Sequence, residues 1–228
     1  WDKVPAETCF RFSQSENTKT YYLLPIICRR EGKMETKETI QKLIADSIEA
    51  KQKMLGSEHI EYIQTIADKI VEAYGNNKKT IICGNGGSAA DALHFAAEMV
   101  VRFEKNRKAL PSIALSENVS TITAAGNDFG YDQSFSRQVE AFAQSGDIFI
   151  AISTSGNSPN VIKAIESAKK IGAFTIGMTN EDGGKMKSMC DLCYCAPSKI
   201  TARAQECHIL LIHIICRIIE EKVFNGRE

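Results

Sequence analysis

The stretch "TIICGNGGSAADALHFAAEMVVRF", residues 80–103, decides the fold. It opens as a short apolar strand, bends at three glycines and leaves as a helix. Gly84, Gly86 and Gly87 permit a tight turn with positive φ and let a ligand come close to the backbone. Ser88 stands where a cap belongs, and the N–H groups that open the helix are free to meet an anion. The turn is not a dinucleotide fingerprint, because Ala89 replaces the third glycine of G-x-G-x-x-G, and no Gly-Lys-Ser/Thr follows to make a Walker loop. Taken alone, it is as consistent with a plain strand–helix connection as with a phosphate cradle. On the helix, His94 and Glu98 are four residues apart, so their side chains lie about 40° apart on one face. Their surroundings, "ALHFAAEMVV", are too apolar for a simple solvated pair.

The same strand-then-helix order recurs downstream. Apolar runs at 112–115, 147–153, 174–179 and 192–196 join that at 80–83, with helical stretches near 88–103, 118–125, 132–145, 158–171, 183–189 and 201–223. Strands without polar alternation, separated by helices, predict an α/β fold with a parallel sheet covered on both faces. Upstream, residues 35–56 and 58–79 repeat apolar residues every three or four positions and read as two amphipathic helices. Residues 1–33 show no helical period and are taken as an extension without assigned role. Their run "YYLLPIIC" is short, holds a proline and lacks a small-residue cleavage site, so it does not read as a secretory signal.

In such sheets ligands sit beyond the carboxyl ends of the strands. The loop "ISTSGNSPNV" (152–161) offers Ser153, Thr154, Ser155 and Ser158 around one glycine at a helix start. One or two hydroxyls suffice to cap a helix, whereas four suit a phosphate held by neutral donors. With no lysine or arginine in the loop, the phosphate expected is that of a sugar phosphate. In "AAGNDFGYD" (124–132), Asn127 and Asp128 follow a glycine, an ordinary turn pattern that also suits sugar hydroxyls. The last helical stretch carries Gln205, His208 and His213; Gln205 and His213 lie about 80° apart around the helix and can border one cavity. Spacing does not rank His208 below His213. From 209 to 219 this helix is apolar nearly all round, which places it in a core or a subunit interface.

Composition excludes several classes. The 28 Lys+Arg balance 28 Asp+Glu, so no net field draws the chain to nucleic acid or an anionic membrane. No apolar run approaches the ~18–20 residues that span a bilayer. The eight cysteines are scattered, and several sit in apolar runs, which predicts reduced structural thiols and a cytoplasmic protein. In "CDLCYC" (190–195) the last two cysteines alternate within a strand, and no Cys/His pair at zinc-finger spacing accompanies them.

Four ordered motifs, "CGNGGSAADALHFAAEMVVRF", "AAGNDFGYDQSFSRQVEA", "ISTSGNSPNVIKAI" and "TARAQECHILLIHII", resemble the phosphoheptose isomerases, part of the wider sugar-isomerase (SIS) domain group. The resemblance covers roughly residues 35–222 and implies a three-layer α/β/α sandwich with a five-stranded parallel sheet, one SIS domain over 34–228. It implies conversion of sedoheptulose 7-phosphate to D-glycero-D-manno-heptose 7-phosphate, toward bacterial surface glycans such as lipopolysaccharide, by a homotetramer with sites between subunits. One zinc per subunit is implied on His94, Glu98, Gln205 and His213, with Glu98 as base and His213 as acid. Substrate contacts map onto Asn85, Gly86, Gly87, Ser88, Glu98, Asn127, Asp128, Ser153, Thr154, Ser155, Ser158 and Gln205. A glutamate that is both ligand and base carries two demands on one carboxylate, and the residues alone do not divide them. Ala204 departs from the isoleucine usual before that glutamine. Two alternatives stand beside this reading: a non-catalytic SIS relative that binds a replication-initiator partner, and another sugar-phosphate isomerase.

Overall fold

Five strands lie side by side and all parallel, in the order Ser112–Ala114, Thr80–Gly84, Ile148–Ile152, Phe174–Thr179 and Leu192–Cys195. The computed structural model describes residues 9–15, 18–26 and 35–224. The chain forms two compact units, residues 1–43 and 44–228. In the first, β1 (Cys9–Ser15) and β2 (Thr18–Ile26) pair antiparallel, with a register shift between Gln14 and Ser15. The sequence reading assigned no element there; β-branched and aromatic residues in "TKTYYLLPI" favour the extended backbone that forms. Helix α1 (Thr36–Lys53) spans the boundary between the units.

In the second unit, α2 (Ser57–Gly75) leads into β3 (Thr80–Gly84), α3 (Gly87–Val100), β4 (Ser112–Ala114), α4 (Val119–Phe129) and α5 (Ser136–Phe142). Then follow β5 (Ile148–Ile152), α6 (Pro159–Ile171), β6 (Phe174–Thr179), α7 (Met186–Met189), β7 (Leu192–Cys195) and α8 (Thr201–Phe224). The predicted strands and the parallel three-layer architecture are borne out. β3 and β5 are buried along their whole length, because helices cover both sheet faces. Ile82, Ile150, Ile152, Ile176 and Tyr194 pack under α2, α3 and α8 on one face. Ile81, Cys83, Phe149 and Ala151 pack under α5, α6 and α7 on the other. Each buried isoleucine or phenylalanine among them contributes about 1.5–3 kcal/mol relative to exposure. Among the described residues, no helix is long and apolar enough to cross a membrane.

Two local expectations change. The stretch 118–125 extends as helix to Phe129, so Asn127 and Asp128 lie in the last turn of α4 instead of a loop. Asn118 caps its start by accepting from the Thr121 N–H at 3.0 Å, and Gly130, at φ 91°, stops it. The stretch 132–145 breaks into a 3₁₀ turn at Tyr131–Gln133 and the short α5.

The strand order fixes where a ligand can enter. From β3 the chain steps outward to β4, then returns past β3 to β5. The connections leaving β3 and β5 therefore run to opposite faces, α3 to one and α6 to the other. Between them lies the crevice at the point where strand order reverses, the usual binding place in open α/β sheets.

Candidate active site

Both loops at this crevice are braced before any ligand arrives. After β3, Gly86 adopts φ 56° and opens α3 as its N-cap without a side-chain bond. Ser88 is therefore not the cap: it occupies the second helical position, where its side chain is buried. A Cβ on Gly84 would meet the Ser88 carbonyl oxygen at 2.4 Å, so only glycine lets the turn fold back so tightly. Asn85 reaches across the crevice, where its Nδ2 donates to Asn160 Oδ1 and Asn160 Nδ2 donates to Asn85 Oδ1, both at 2.9 Å. Tyr131 adds a hydroxyl donor to Asn85 Oδ1 at 3.0 Å.

After β5, the serine hydroxyls converge. Ser153 Oγ lies 2.9 Å from Ser158 Oγ and 3.4 Å from Ser155 Oγ, and Ser155 Oγ accepts from the Asn157 N–H. Ser158 is the N-cap of α6 but makes no capping bond, so its hydroxyl is turned into the loop. Pro159 follows at the first helical position, where no N–H is needed. A second loop supports this one. Asn180 N–H donates to Thr154 O, Met186 N–H to Gly156 O, and Gly156, at φ 63°, lies so close to Gly183 that no side chain fits between them. The result is a braced cluster of serine hydroxyls at a helix N-terminus, suited to an anion.

On the helix launched by the glycine turn, His94 and Glu98 meet His213 of α8. His94 Nε2 lies 3.0 Å from His213 Nε2 and 3.3 Å from Glu98 Oε1. Phe103 stacks obliquely beside His213, ring centroids 5.7 Å apart. Gln205, two turns earlier on α8, presses its amide on the glycine turn: a Cβ on Gly87 would meet Gln205 Nε2 at 2.6 Å. The structure thus brings His94, Glu98 and His213 together and sets Gln205 against Gly87. It also separates the two histidines of α8. His208 is buried, its Nε2 bonded to Thr179 O at 2.9 Å and its Nδ1 without a partner. Burial holds the His208 imidazole below its ordinary pKa, so it is a neutral core residue. Asn127 and Asp128 are exposed and bond each other at 2.8 Å; it is Tyr131, just beyond α4, that bonds Asn85 at the crevice.

One turn before His94, Asp91 has an oxygen buried without a partner, and burial pushes its carboxyl up to about 6 against the opposing pull of His94. Imidazole and carboxylate are donor types that zinc accepts; Gln205, set against Gly87, would add a carboxamide oxygen. Nitrogens on one tetrahedral zinc stand about 3.3 Å apart, close to the 3.0 Å between these Nε2 atoms. Among the described residues, no three His, Cys, Asp or Glu side chains are grouped so as to hold a metal ion as they stand. Here the two imidazoles share a hydrogen bond instead, and a metal would take the place of its proton.

Residues 38–180 match the SIS domain family. The chain is 50% identical over 192 residues to the phosphoheptose isomerase of Clostridium acetobutylicum, covering 84% of this chain and 98% of that one. Two solved structures are also similar. The phosphoheptose isomerase of Neisseria gonorrhoeae superposes with a TM-score of 0.77 at 42% identity, covering 81% of this chain and 98% of the other. That of Francisella tularensis gives 0.80 at 36%, covering 82% and 100%. The chain belongs to the phosphoheptose isomerase family.

Some residues that shape this phosphoheptose isomerase fold's crevice escaped the sequence reading. Asn160 sat inside a quoted motif but reads as an ordinary helix-start residue. Its role shows only in the fold, which sets its amide opposite that of Asn85. Glu220 escaped too, although it falls in phase with Cys216 and Ile219 on the buried stripe of α8. Tyr131 and Phe103 carried no signal of their own.

Proposed function

We propose that this protein is an aldose–ketose isomerase that converts sedoheptulose 7-phosphate to D-glycero-D-manno-heptose 7-phosphate. One observation carries the reading: His94 lies 3.0 Å from His213 and 3.3 Å from Glu98, behind a glycine turn that is joined to a serine-rich anion loop. Moving a carbonyl between C2 and C1 requires a proton to leave carbon and oxygen charge to be stabilised on the way through an enediol. Ser153, Thr154, Ser155 and Ser158 hold the phosphate at the start of α6. Asn85, the N–H groups of Gly86 and Gly87, and Ser88 line the opposite wall. Asn127, Asp128 and Gln205 take sugar hydroxyls. Glu98 is the base that removes the proton from carbon, and His213 is the acid that protonates oxygen. His94, Glu98, Gln205 and His213 would hold zinc, which supplies Lewis-acid polarisation of the carbonyl oxygen when bound.

The wider setting belongs to the same proposal. The enzyme is a cytoplasmic homotetramer serving the heptoses of bacterial surface glycans, lipopolysaccharide among them. Free thiols at Cys83, Cys190, Cys193, Cys195, Cys207 and Cys216 and a phosphorylated substrate support the compartment. Ile44 and Ile48 of α1, Leu55 of the α1–α2 turn and Ile60 of α2 are each at least half exposed, an apolar surface that further copies would cover. Turnover of sedoheptulose 7-phosphate followed by NMR tests the reaction. Appearance of the aldose signal supports it, and an unchanged ketose spectrum with and without zinc refutes it.

A further inference from the structure

Behind the three converging side chains lies a fully buried ion pair that the sugar-phosphate reaction does not use. Glu220 of α8 is wholly buried, and its two oxygens accept four hydrogen bonds. Oε1 takes the Phe103 N–H and Arg107 Nε, and Oε2 takes the N–H groups of Glu104 and Lys105, all at 2.9 Å. These bonds and the guanidinium hold the Glu220 carboxyl below its usual range despite its burial. Arg107, equally buried, spends the rest of its fork on the end of α3. Nη2 donates to Glu98 O at 2.7 Å, and Nη1 donates to Met99 O at 2.8 Å and Lys108 O at 3.1 Å. Glu98 and Met99 carry carbonyls that the last turn of a helix leaves without intrahelical partners, and a cation there also opposes the helix dipole. Phe224 covers the guanidinium at 5.6 Å.

One end of this bridge is therefore the backbone of Glu98 itself. The other is a carboxylate two turns along α8 from His213. The loop between them carries Phe103, whose ring lies against His213. We infer that Arg107 and Glu220 form a positioning clamp that fixes α3 against α8, and so sets Glu98 and His94 at their working distance from His213. The inference rests on the isomerase reading of those three residues. Neither clamp residue touches substrate; both act through the backbone they hold. A displacement of about 1 Å at reacting groups is enough to cost up to ~100-fold in rate.

Arg107→Lys tests it. A lysine keeps the charge near Glu220 but has no planar fork to reach two carbonyls and the carboxylate together. The clamp predicts a folded variant whose kcat on sedoheptulose 7-phosphate falls about tenfold or more while KM stays within about twofold, because the phosphate loop is untouched. Its crystal structure should show the His94–His213 Nε2 separation opened beyond hydrogen-bonding range. Glu220→Gln, which keeps shape and drops charge, should show the same pattern more weakly and serves if the lysine variant does not fold. A variant that loses thermal stability but keeps kcat at temperatures where it is folded makes the pair merely structural and overturns the inference. A wild type without turnover on this substrate sinks the isomerase reading instead. The separation in the variant crystal, set against a wild-type crystal in the same metal state, then decides the clamp alone: widening upholds it, and an unchanged separation overturns it.

Discussion

Asn85 and Asn160 exchange two amide hydrogen bonds of 2.9 Å across the crevice where the strand order reverses. Each side chain presents its donor to the other's acceptor, so the pair ties the turn after β3 to the start of α6. Asn160 is 2% exposed and also accepts from the Val161 N–H. Asn160→Ala should leave Asn85 held only by Tyr131, with two donors, Asn85 Nδ2 and the buried Val161 N–H, deprived of their acceptor, at a cost of about 1–3 kcal/mol. Urea denaturation should show that loss, and KM should rise more than kcat falls, since the walls of the binding crevice come apart while the acid–base residues stay. A fall in kcat with KM unchanged would be the wrong sign.

Gly87 separates stability from activity. An alanine Cβ would press Gln205 Nε2 at 2.6 Å, but that atom is the end of a flexible chain and can move away. Gly87 is the first residue of α3, and alanine suits a helix better than glycine by up to about 1 kcal/mol. Gly87→Ala should therefore melt at the wild-type temperature or slightly above it and yet lose activity, about tenfold in kcat/KM, as Gln205 is displaced. Calorimetry and steady-state kinetics on the same sample check both halves.

His208 makes stability depend on pH. Its imidazole is buried, and its pKa is held below the ordinary 6.5 by loss of solvent. The unfolded chain therefore takes up a proton near pH 6.5 that the folded chain refuses. Stability is full above that pH and falls as pH drops through it, with a slope of up to about 1.4 kcal/mol per unit. Chemical denaturation between pH 7.5 and 5.5 should show this slope in wild type and a flatter one in His208→Gln. Equal slopes would mean that His208 is not the group.

How much of this was legible beforehand differs by element. The five apolar runs announced a parallel sheet, because strands buried on both faces have no polar alternation to hide. The residues 124–132 misled because Gly126-Asn127-Asp128 looks like a turn, whereas Asn118 and Gly130 are the residues that start and stop α4. Ser88 misled as a cap because Gly86, with its positive φ, begins the helix two residues sooner. On α8, apolar residues all round hid which stripe is buried, so spacing could not separate His208 from His213. Packing does: His208, Leu211, Ile215 and Ile219 share the core stripe, and His213 stands off it toward α3. The Arg107–Glu220 bridge was out of reach, since residues 113 apart in the chain meet only through the fold.

The most direct test is turnover of sedoheptulose 7-phosphate by the wild type beside Glu98→Gln and His213→Ala. Both substitutions leave the phosphate loop and the clamp in place. The wild type should form D-glycero-D-manno-heptose 7-phosphate. Each variant should lose about 100-fold or more in kcat, the usual worth of a positioned acid or base. Full activity in either variant, or an inactive wild type with and without added zinc, would contradict the isomerase site described above.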